Sequence, residues 1–180
     1  MKKAIFWDKD GTLVKCKTAN GIPHPYHLTY HLNSGIEDIL GLIRNKGHYL
    51  NIVVTNQPDV ARGYVEKDDV EQQLFDLWFK LPIDAVYVCL HDDMDNCNCR
   101  KPQTGLLKLA AKRYGLDLTQ CWVVGDTWRD VKMGVDIGCK TIFLDYNYRL
   151  PAPESPDYTI SSSSNIAWEL QQIFQREGVI

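Results

Sequence analysis

The stretch Phe6-Trp7-Asp8-Lys9-Asp10-Gly11-Thr12 decides the fold expected for this chain of 180 residues. An apolar run that stops abruptly at a turn signal is typical of a buried strand in a parallel sheet. Asp8 and Asp10 are two residues apart, so both carboxylates point the same way in an extended segment. They repel each other there, and Mg²⁺, which prefers oxygen ligands, would remove that repulsion. Gly11 lets the backbone turn and leaves room for a ligand.

A solvated acidic turn would give the same local pattern, because Asp-Gly turns are common. The rest of the chain favours a site. Four more apolar runs predict strands, at residues 50–54, 85–88, 121–124 and 140–144. They alternate with helical patterns, which predicts an α/β, doubly wound, Rossmann-like parallel sheet of five or more strands with helices on both faces.

Local patterns refine this expectation. The segment from Ser34 to Glu37 fits a helix capping box, and Thr104 fits a helix N-cap. One apolar stripe is predicted to pack in the core, formed by Val70, Leu74, Leu77, Trp78 and Leu81. Residues 15–33 are predicted to form a long irregular loop that rims the site. Residues 151–164 are predicted to form a proline- and serine-rich connector.

The composition fits one globular domain over residues 1–180, with 44% hydrophobic residues and a formal net charge of −3. This charge argues against a nucleic-acid partner, which would require a basic face. The apolar run near the start is too short for a signal peptide, and no stretch is long enough to span a membrane. We therefore expect a monomeric, cytoplasmic protein whose six cysteines are reduced or bound to metal.

Polar groups follow the predicted strands. Thr55 ends the second strand, where a hydroxyl beside backbone N–H groups suits a phosphate, although a turn-forming Thr-Asn pair is equally consistent. Asp126 follows the fourth strand, as Asp8 follows the first. Arg62 lies in the loop after the second strand, where it is available to contact an anion. Because functional groups in open α/β sheets gather at the carboxyl ends of strands, we expect these residues to share a site.

A cluster of Cys89, His91, Cys97 and Cys99 lies within eleven residues. Three thiols and one imidazole suit a tetrahedral, structural zinc site, which would give a rigid shape to a loop with little apolar content. A disulfide is disfavoured, because the compartment is expected to be reducing and Cys97 and Cys99 are too close in sequence to pair comfortably. A coincidental set of buried cysteines is the remaining alternative.

Two cations, Arg100 and Lys101, follow this cluster without a spacer. A rigid zinc loop would place both in advance. An anionic transition state needs such placement, because reorganising charges later costs energy. A solvated basic pair is the alternative.

Four segments resemble the motifs of the haloacid dehalogenase (HAD) superfamily of phosphatases. They are, in chain order, Asp8-Lys9-Asp10-Gly11-Thr12, Thr55-Asn56-Gln57, Lys101-Pro102 and Gly125-Asp126 with Asp130. The Cys-x-His and Cys-x-Cys-Arg-Lys-Pro segments look like the zinc-containing branch, which holds heptose-1,7-bisphosphate phosphatases and histidinol-phosphate phosphatases. Asn56-Gln57-Pro58 followed by Ala61-Arg62-Gly63-Tyr64 is nearer the heptose enzymes. The short spacing between His91 and Cys97 is more like the histidinol enzymes, and residues 15–19 depart from the heptose pattern.

The resemblance implies a magnesium-dependent phosphatase. Asp8 would be the nucleophile that forms an aspartyl phosphate, and Asp10 would act as general acid and then general base. Magnesium would be held by Asp8, the backbone carbonyl of Asp10, and Asp126. The phosphoryl oxygens would be bound by Thr55, Arg100 and Lys101. Further substrate contacts would come from Gly11, Asn56, Gln57, Arg62 and Thr127.

The remaining implications concern the setting of the site. Asp130 would orient Lys101 or a water ligand. The chain has no insertion long enough for a large cap domain, so residues 15–33, the Arg62 loop and the zinc loop would shape an open site suited to a small phosphorylated metabolite. A heptose 1,7-bisphosphate losing its 7-phosphate is the expected substrate, with histidinol phosphate as the alternative.

Two other classes of protein remain open on sequence. A nucleic-acid end phosphatase shares the Asp-x-Asp-Gly-Thr start but would need a basic groove, which the net charge disfavours. A non-enzymatic zinc-knuckle module would account for the Cys-His cluster. It leaves Asp8, Asp10 and Asp126 unexplained.

Overall fold

The chain folds around one six-stranded parallel sheet in a computed structural model that describes residues 1–24 and 29–180. The strands are β1 Lys3–Trp7, β2 Lys17–Ala19, β3 Ile22–His24, β4 Tyr49–Asn56, β5 Ala85–Cys89, β6 Trp122–Gly125, β7 Lys140–Asp145 and β8 Tyr158–Ser161. The helices are α1 Ile36–Lys46, α2 Lys67–Lys80, α3 Gly105–Tyr114, α4 Trp128–Ile137 and α5 Ile166–Arg176, with short 3₁₀ turns at Asp93–Asp95 and Leu118–Gln120.

The strand order β5-β4-β1-β6-β7-β8 places β1 in the middle of the sheet. The chain runs outward from β1 through β4 to β5, and then crosses back to β6 and continues outward on the other side. The carboxyl ends of β4, β1 and β6 are therefore neighbours at the point where the strand order reverses, which is where open α/β sheets bind ligands. The predicted fold class is confirmed, with six strands in the sheet.

Two apolar clusters pack on the two faces of the sheet. Ile5 and Trp7 of β1 join the cluster that contains residues of α1 and α5, whereas Ala4 and Phe6 join the cluster beneath α3 and α4. Successive side chains of a strand point to opposite faces, so a strand covered on both sides is apolar throughout. This is why the start of the chain shows a continuous apolar run rather than an alternating one.

The end of β1 is fixed by a buried amide. Trp7 Nε1 donates to Asn51 Oδ1 at 3.1 Å, and Asn51 Nδ2 donates to the carbonyls of Leu40 and Pro82, both at 3.0 Å. Asn51 is fully buried, and a buried amide is tolerated when its donors and acceptors are satisfied. The network ties α1 to Trp7, the residue immediately before Asp8.

The predicted connector at residues 151–164 is wrong in part, because it contains β8. Ile142 to Asp145 of β7 pair in parallel with Tyr158 to Ser161. Asp157 fixes the start of the pairing, since its carboxylate accepts from both the backbone N–H and the hydroxyl of the buried Thr141. The strand was not predicted because it has only four residues and is flanked by prolines and serines, which are typical of loops.

The predicted irregular loop at residues 15–33 is also wrong in part. β2 and β3 form an antiparallel hairpin whose turn is Asn20-Gly21, with φ of 54° and 77°. Asn-Gly is a strong hairpin signal, because both residues tolerate positive φ. Residues 25–28 of the predicted loop lie outside the described residues.

Of three local predictions on the helices, the capping box is wrong, and the Thr104 N-cap and the apolar stripe are correct in part. Gly35, with φ of 75°, is the N-cap of α1 and no side-chain capping bond forms there, so Ser34 does not make a capping box. Thr104 occupies the N-cap of α3 without a side-chain bond. Trp78 is 44% exposed, whereas Val70, Leu74 and Leu77 of the stripe are buried and Leu81 is buried just after α2.

Across the described ranges, no helix has both the length and the apolar content needed to cross a bilayer.

Candidate active site

Three carboxylates converge where β1 and β6 end. Asp8 follows β1, Asp126 follows β6, and Asp130 lies in the first turn of α4. Each contributes one oxygen to a set in which all three atoms lie within 4.8 Å of one another, and all three residues are buried. Buried like charges at this separation repel strongly, so the arrangement requires positive charge beside it.

Lys101 supplies part of that charge. Its Nζ lies 2.5 Å from Asp8 Oδ1 and 2.6 Å from Asp130 Oδ1. Burial alone would lower the pKa of Lys101, but Asp130 and Asp8 outweigh this and raise it, so the side chain stays cationic. Asn56 fixes the backbone of Lys101 through two hydrogen bonds, from Asn56 Nδ2 to the Lys101 carbonyl at 3.2 Å and from the Lys101 N–H to Asn56 Oδ1 at 3.0 Å.

One ammonium group does not balance the site. Burial raises the pKa of Asp8 to about 7, although Lys101 opposes the shift, and burial together with Asp8 raises the pKa of Asp126 well above its ordinary range. The Tyr148 hydroxyl lies close enough to oppose this shift in the pKa of Asp126, but neither buried Asp126 carboxylate oxygen accepts a well-formed hydrogen bond from the described residues. Orphaned buried oxygens call for an explanation, and a divalent cation with oxygen ligands provides one. Asp8 and Asp126 therefore fit a magnesium site.

Gly11 makes the approach of Asp126 possible. It has φ of 89°, and a Cβ at this position would lie 1.7 Å from Asp126 Oδ2. Real Cβ atoms do not approach other atoms so closely, and L-residues rarely adopt this φ. The glycine after the two aspartates is therefore required for the acidic pocket itself.

We expect Gly11→Ala to lower stability by about 1–3 kcal/mol through backbone strain, and to weaken magnesium binding because Asp126 is displaced. Thermal unfolding and calorimetric titration with Mg²⁺ would measure the two effects. Gly41→Ala is the matched control, because a Cβ at Gly41 meets nothing within 4 Å. Equal magnesium affinity in Gly11→Ala and the parent protein would contradict the proposed contact.

Asp10 is held by two side chains. Lys9 Nζ donates to Asp10 Oδ1 at 2.9 Å, and Gln57 Nε2 donates to Asp10 Oδ2 at 2.6 Å. Gln57 also donates to the Thr55 hydroxyl at 3.0 Å, and both Gln57 and Thr55 are buried. Sequence reasoning missed Lys9, because strict strand alternation would turn it away from Asp10. The backbone turns after Asp8 and brings it back.

Asp130 links Thr127 to Lys101. Its Oδ2 accepts from the Thr127 N–H at 3.2 Å and from the Thr127 hydroxyl at 2.6 Å, which caps α4, while Oδ1 accepts from Lys101. Of the two roles predicted for Asp130, the contact with Lys101 is the one that the structure shows. The hydroxyl of Thr127, a predicted substrate contact, is directed at Asp130.

The Cys-His cluster has the dimensions of a metal site. The three Sγ···Sγ distances among Cys89, Cys97 and Cys99 are 3.7, 3.2 and 3.4 Å. His91 Nδ1 lies 3.5 Å from Cys89 Sγ and 3.2 Å from Cys99 Sγ. Tetrahedral zinc with bonds of ~2.0–2.3 Å would separate such ligand atoms by ~3.6–3.8 Å. The four residues therefore fit one Zn²⁺ with a small expansion of the cluster.

Two carboxylates in the loop that carries this cluster pair with arginines. Arg62 forms a bidentate pair with Asp92, at 2.6 and 3.0 Å, and Arg100 pairs with Asp93 at 2.7 Å. The hydrogen bond from Arg62 lowers the pKa of Asp92 to about 2, so this pair stays charged at neutral pH. The Arg100 backbone N–H lies 3.4 Å from Cys97 Sγ, so its position depends directly on the cluster.

A cavity of about 380 Å³ brings most of the predicted residues together. Its lining includes Asp8, Asp10, Asn56, Arg62, Arg100, Lys101, Asp126 and Thr127. Ile22 and Pro23 of the hairpin and Leu150 complete one side, and the Arg149 N–H donates to the Gly21 carbonyl at 2.7 Å to join them. Six carboxylates and four cations line this cavity, and a divalent cation would balance the excess of negative charge. The predicted site residues Thr55, Gln57 and Gly11 do not belong to this lining.

Known proteins with similar sequences are named as phosphatases. A family model described as "HAD-hyrolase-like" matches residues 98–162. The D-glycero-beta-D-manno-heptose-1,7-bisphosphate 7-phosphatase of Haemophilus influenzae is 34% identical over 146 residues, covering 75% of this chain and 77% of that protein. The Helicobacter pylori protein of the same name (strain 26695) is 32% identical over 161 residues, covering 85% of this chain and 89% of its own.

Solved structures share the fold. A D,D-heptose 1,7-bisphosphate phosphatase from B. bronchiseptica, complexed with magnesium and phosphate, superimposes with a TM-score of 0.72 at 22% identity. The match covers 98% of this chain and 99% of that one. The two proteins therefore share the same fold over nearly the whole length of both chains.

Proposed function

Because the chain belongs to the haloacid dehalogenase superfamily of phosphatases, we propose that it removes the 7-phosphate of D-glycero-D-manno-heptose 1,7-bisphosphate, with Asp8 as nucleophile. One observation carries the chemistry: a buried Asp8 carboxylate faces Asp126 and is held at 2.5 Å by Lys101. The names of the relatives support the substrate.

Asp8 acts in the first step. Lys101 binds its Oδ1, which fixes the orientation of the carboxylate toward the cavity. A carboxylate oxygen attacks phosphorus, the bond from phosphorus to the sugar oxygen breaks, and an aspartyl phosphate forms. Lys101, Arg100 and the Thr55 hydroxyl bind phosphoryl oxygens as charge develops on them.

Asp10 moves the protons. In its protonated form it gives a proton to the departing sugar oxygen, and it then takes a proton from the water that attacks the aspartyl phosphate. This releases inorganic phosphate and restores Asp8. Lys9 and Gln57 hold the Asp10 carboxyl in place for both transfers.

Two metals support this chemistry. Asp8, the backbone carbonyl of Asp10, and Asp126 would hold Mg²⁺, which would offset the repulsion between carboxylates and phosphate. Cys89, His91, Cys97 and Cys99 would hold one Zn²⁺ with all four positions filled by protein, which makes that site structural. Thiols that bind zinc must stay reduced, which supports a cytoplasmic location. A monomeric state remains an expectation that size-exclusion chromatography with light scattering would check.

The substrate is tested by measuring phosphate release from a panel of phosphorylated metabolites with Mg²⁺ present. We expect the highest kcat/KM for the heptose 1,7-bisphosphate, loss of activity with a magnesium chelator, and recovery when Mg²⁺ is restored. A higher kcat/KM for histidinol phosphate would transfer the assignment to that substrate. Full activity in metal-free buffer would contradict the magnesium site.

A further inference from the structure

Four cations line the active-site cavity, and three of them are paired with carboxylates. Lys101 contacts Asp8 and Asp130, Arg62 contacts Asp59 and Asp92, and Arg100 contacts Asp93. These pairs fix the side chains and offset much of their charge. They leave fewer N–H donors for a substrate anion.

Arg129 is different from these three. It lines the same cavity, and over the described ranges it forms no ion pair with a carboxylate. Its guanidinium carbon lies 4.9 Å from the ring centroid of Trp128, the first residue of α4. A guanidinium stacked on an aromatic face is held in position while its in-plane N–H groups stay available as donors.

Arg129 shares the lining of this cavity with Asp93, Asp126 and Asp130, so it lies on the acidic side of the cavity. Arg129 also lies between Asp126 and Asp130 in sequence, in the first turn of the helix that begins at the reaction centre. A ligand whose phosphoryl group lies at Asp8 would therefore extend along a wall that includes Arg129.

We infer that Arg129, supported by Trp128, binds a second oxyanion of the substrate, distinct from the phosphoryl group that is hydrolysed. The guanidinium fork matches a phosphate or a carboxylate through two parallel hydrogen bonds. This inference rests on the proposed phosphatase function and adds the residue that selects substrates with two anionic groups. The simpler alternative is that Arg129 only shields Trp128 from water, in which case it would affect stability and not selectivity.

The test compares kcat/KM for fructose 1,6-bisphosphate, 6-phosphogluconate and glucose 6-phosphate in the parent protein and in Arg129→Gln. These compounds carry a second phosphate, a carboxylate or no second anion. We expect Arg129→Gln to lower the ratio of kcat/KM for the bisphosphate over the monophosphate by about 10- to 100-fold, the value of a charge-assisted hydrogen bond. The effect on 6-phosphogluconate shows whether a carboxylate is also accepted.

Two further variants test the role of Trp128 and control for the loss of a positive charge. Trp128→Leu keeps the guanidinium but removes its support, so the same ratio is expected to fall by about 2- to 5-fold. Arg113→Gln, at an exposed position in the last turn of α3, is the matched control and should leave the ratio unchanged. An unchanged ratio in Arg129→Gln with the parent melting temperature or a lower one would overturn the inference.

Failure of this inference is distinguishable from failure of the proposed function. Phosphate release from all three compounds with a ratio insensitive to Arg129 would refute only the second-anion site. If none of the three compounds is hydrolysed, the proposed function is judged on heptose 1,7-bisphosphate alone, and it fails if that compound releases no phosphate. Calorimetric binding of fructose 1,6-bisphosphate then decides the inference. Binding at least tenfold tighter to the parent than to Arg129→Gln supports it, and equal or absent binding overturns it.

Discussion

Asp8→Asn is expected to abolish phosphate release while leaving the protein folded. Asparagine has nearly the same size as aspartate but cannot form an aspartyl phosphate, so the rate should fall by about 10³-fold or more. The measurement is phosphate release with saturating Mg²⁺, alongside circular dichroism and thermal unfolding of the same samples.

The stability of this variant has a predicted direction. Burial raises the folded-state pKa of Asp8, so the ionised carboxylate is less favourable in the folded protein than in the unfolded chain at neutral pH. A neutral amide removes that cost, and we expect the melting temperature of Asp8→Asn without Mg²⁺ to equal or exceed that of the parent protein.

The control is Asp136→Asn, the same change at an exposed position of α4 that pairs with Lys132. It should retain full activity. Appreciable turnover by a folded Asp8→Asn protein would rule out Asp8 as the nucleophile, and with it the covalent mechanism.

Cys97→Ser is expected to have the second large effect, through loss of zinc. The cluster lies in a loop with few apolar contacts, so the metal supplies much of the free energy that orders it. We expect stoichiometric zinc in the parent protein and its loss in the variant, with a destabilisation of about 3 kcal/mol or more, corresponding to about 10 °C in Tm. Elemental analysis and thermal unfolding measure the two quantities.

Activity should fall with the zinc because Arg100 is placed by the cluster. Arg100→Ala separates the two effects: it should keep zinc and stability but lose about 2–4 kcal/mol of transition-state binding. Cys139→Ser removes a buried thiol outside the cluster and should keep the metal. A parent protein without stoichiometric zinc would show that the four residues are only a reduced thiol cluster.

Sequence patterns predicted the central strands well because each pattern is local. The run before Asp8 is apolar at every position because β1 is covered on both faces, and neighbouring residues are enough to reveal this. The capping box predicted at Ser34 was wrong because the start of α1 does not depend on local sequence alone. Gly35 rather than Ser34 caps α1, because the chain enters that helix with a positive φ that only the three-dimensional path requires.

Contacts between side chains within the candidate site were harder to predict from the sequence. Sequence reasoning placed Lys101, Asp8 and Asp130 in one site by resemblance, but the hydrogen bond from Lys101 to Asp8 joins residues 93 apart in the chain. Gln57 was assigned to substrate binding, and the structure directs its amide to Asp10 and Thr55. The roles of both remain predictions for experiment.

By itself the sequence determined the parallel α/β sheet, the residues at the carboxyl ends of its strands, and the four members of the Cys-His cluster. Spacing and hydrophobicity specify these because they depend on residues close together in the chain. Only the tertiary structure decided that β8 pairs with β7 and that the Asn20-Gly21 hairpin closes one side of the cavity. It also decided that Arg129 stacks on Trp128 with no carboxylate partner in the described part of the chain. These depend on strand register and on the packing of segments distant in sequence, which local patterns do not encode.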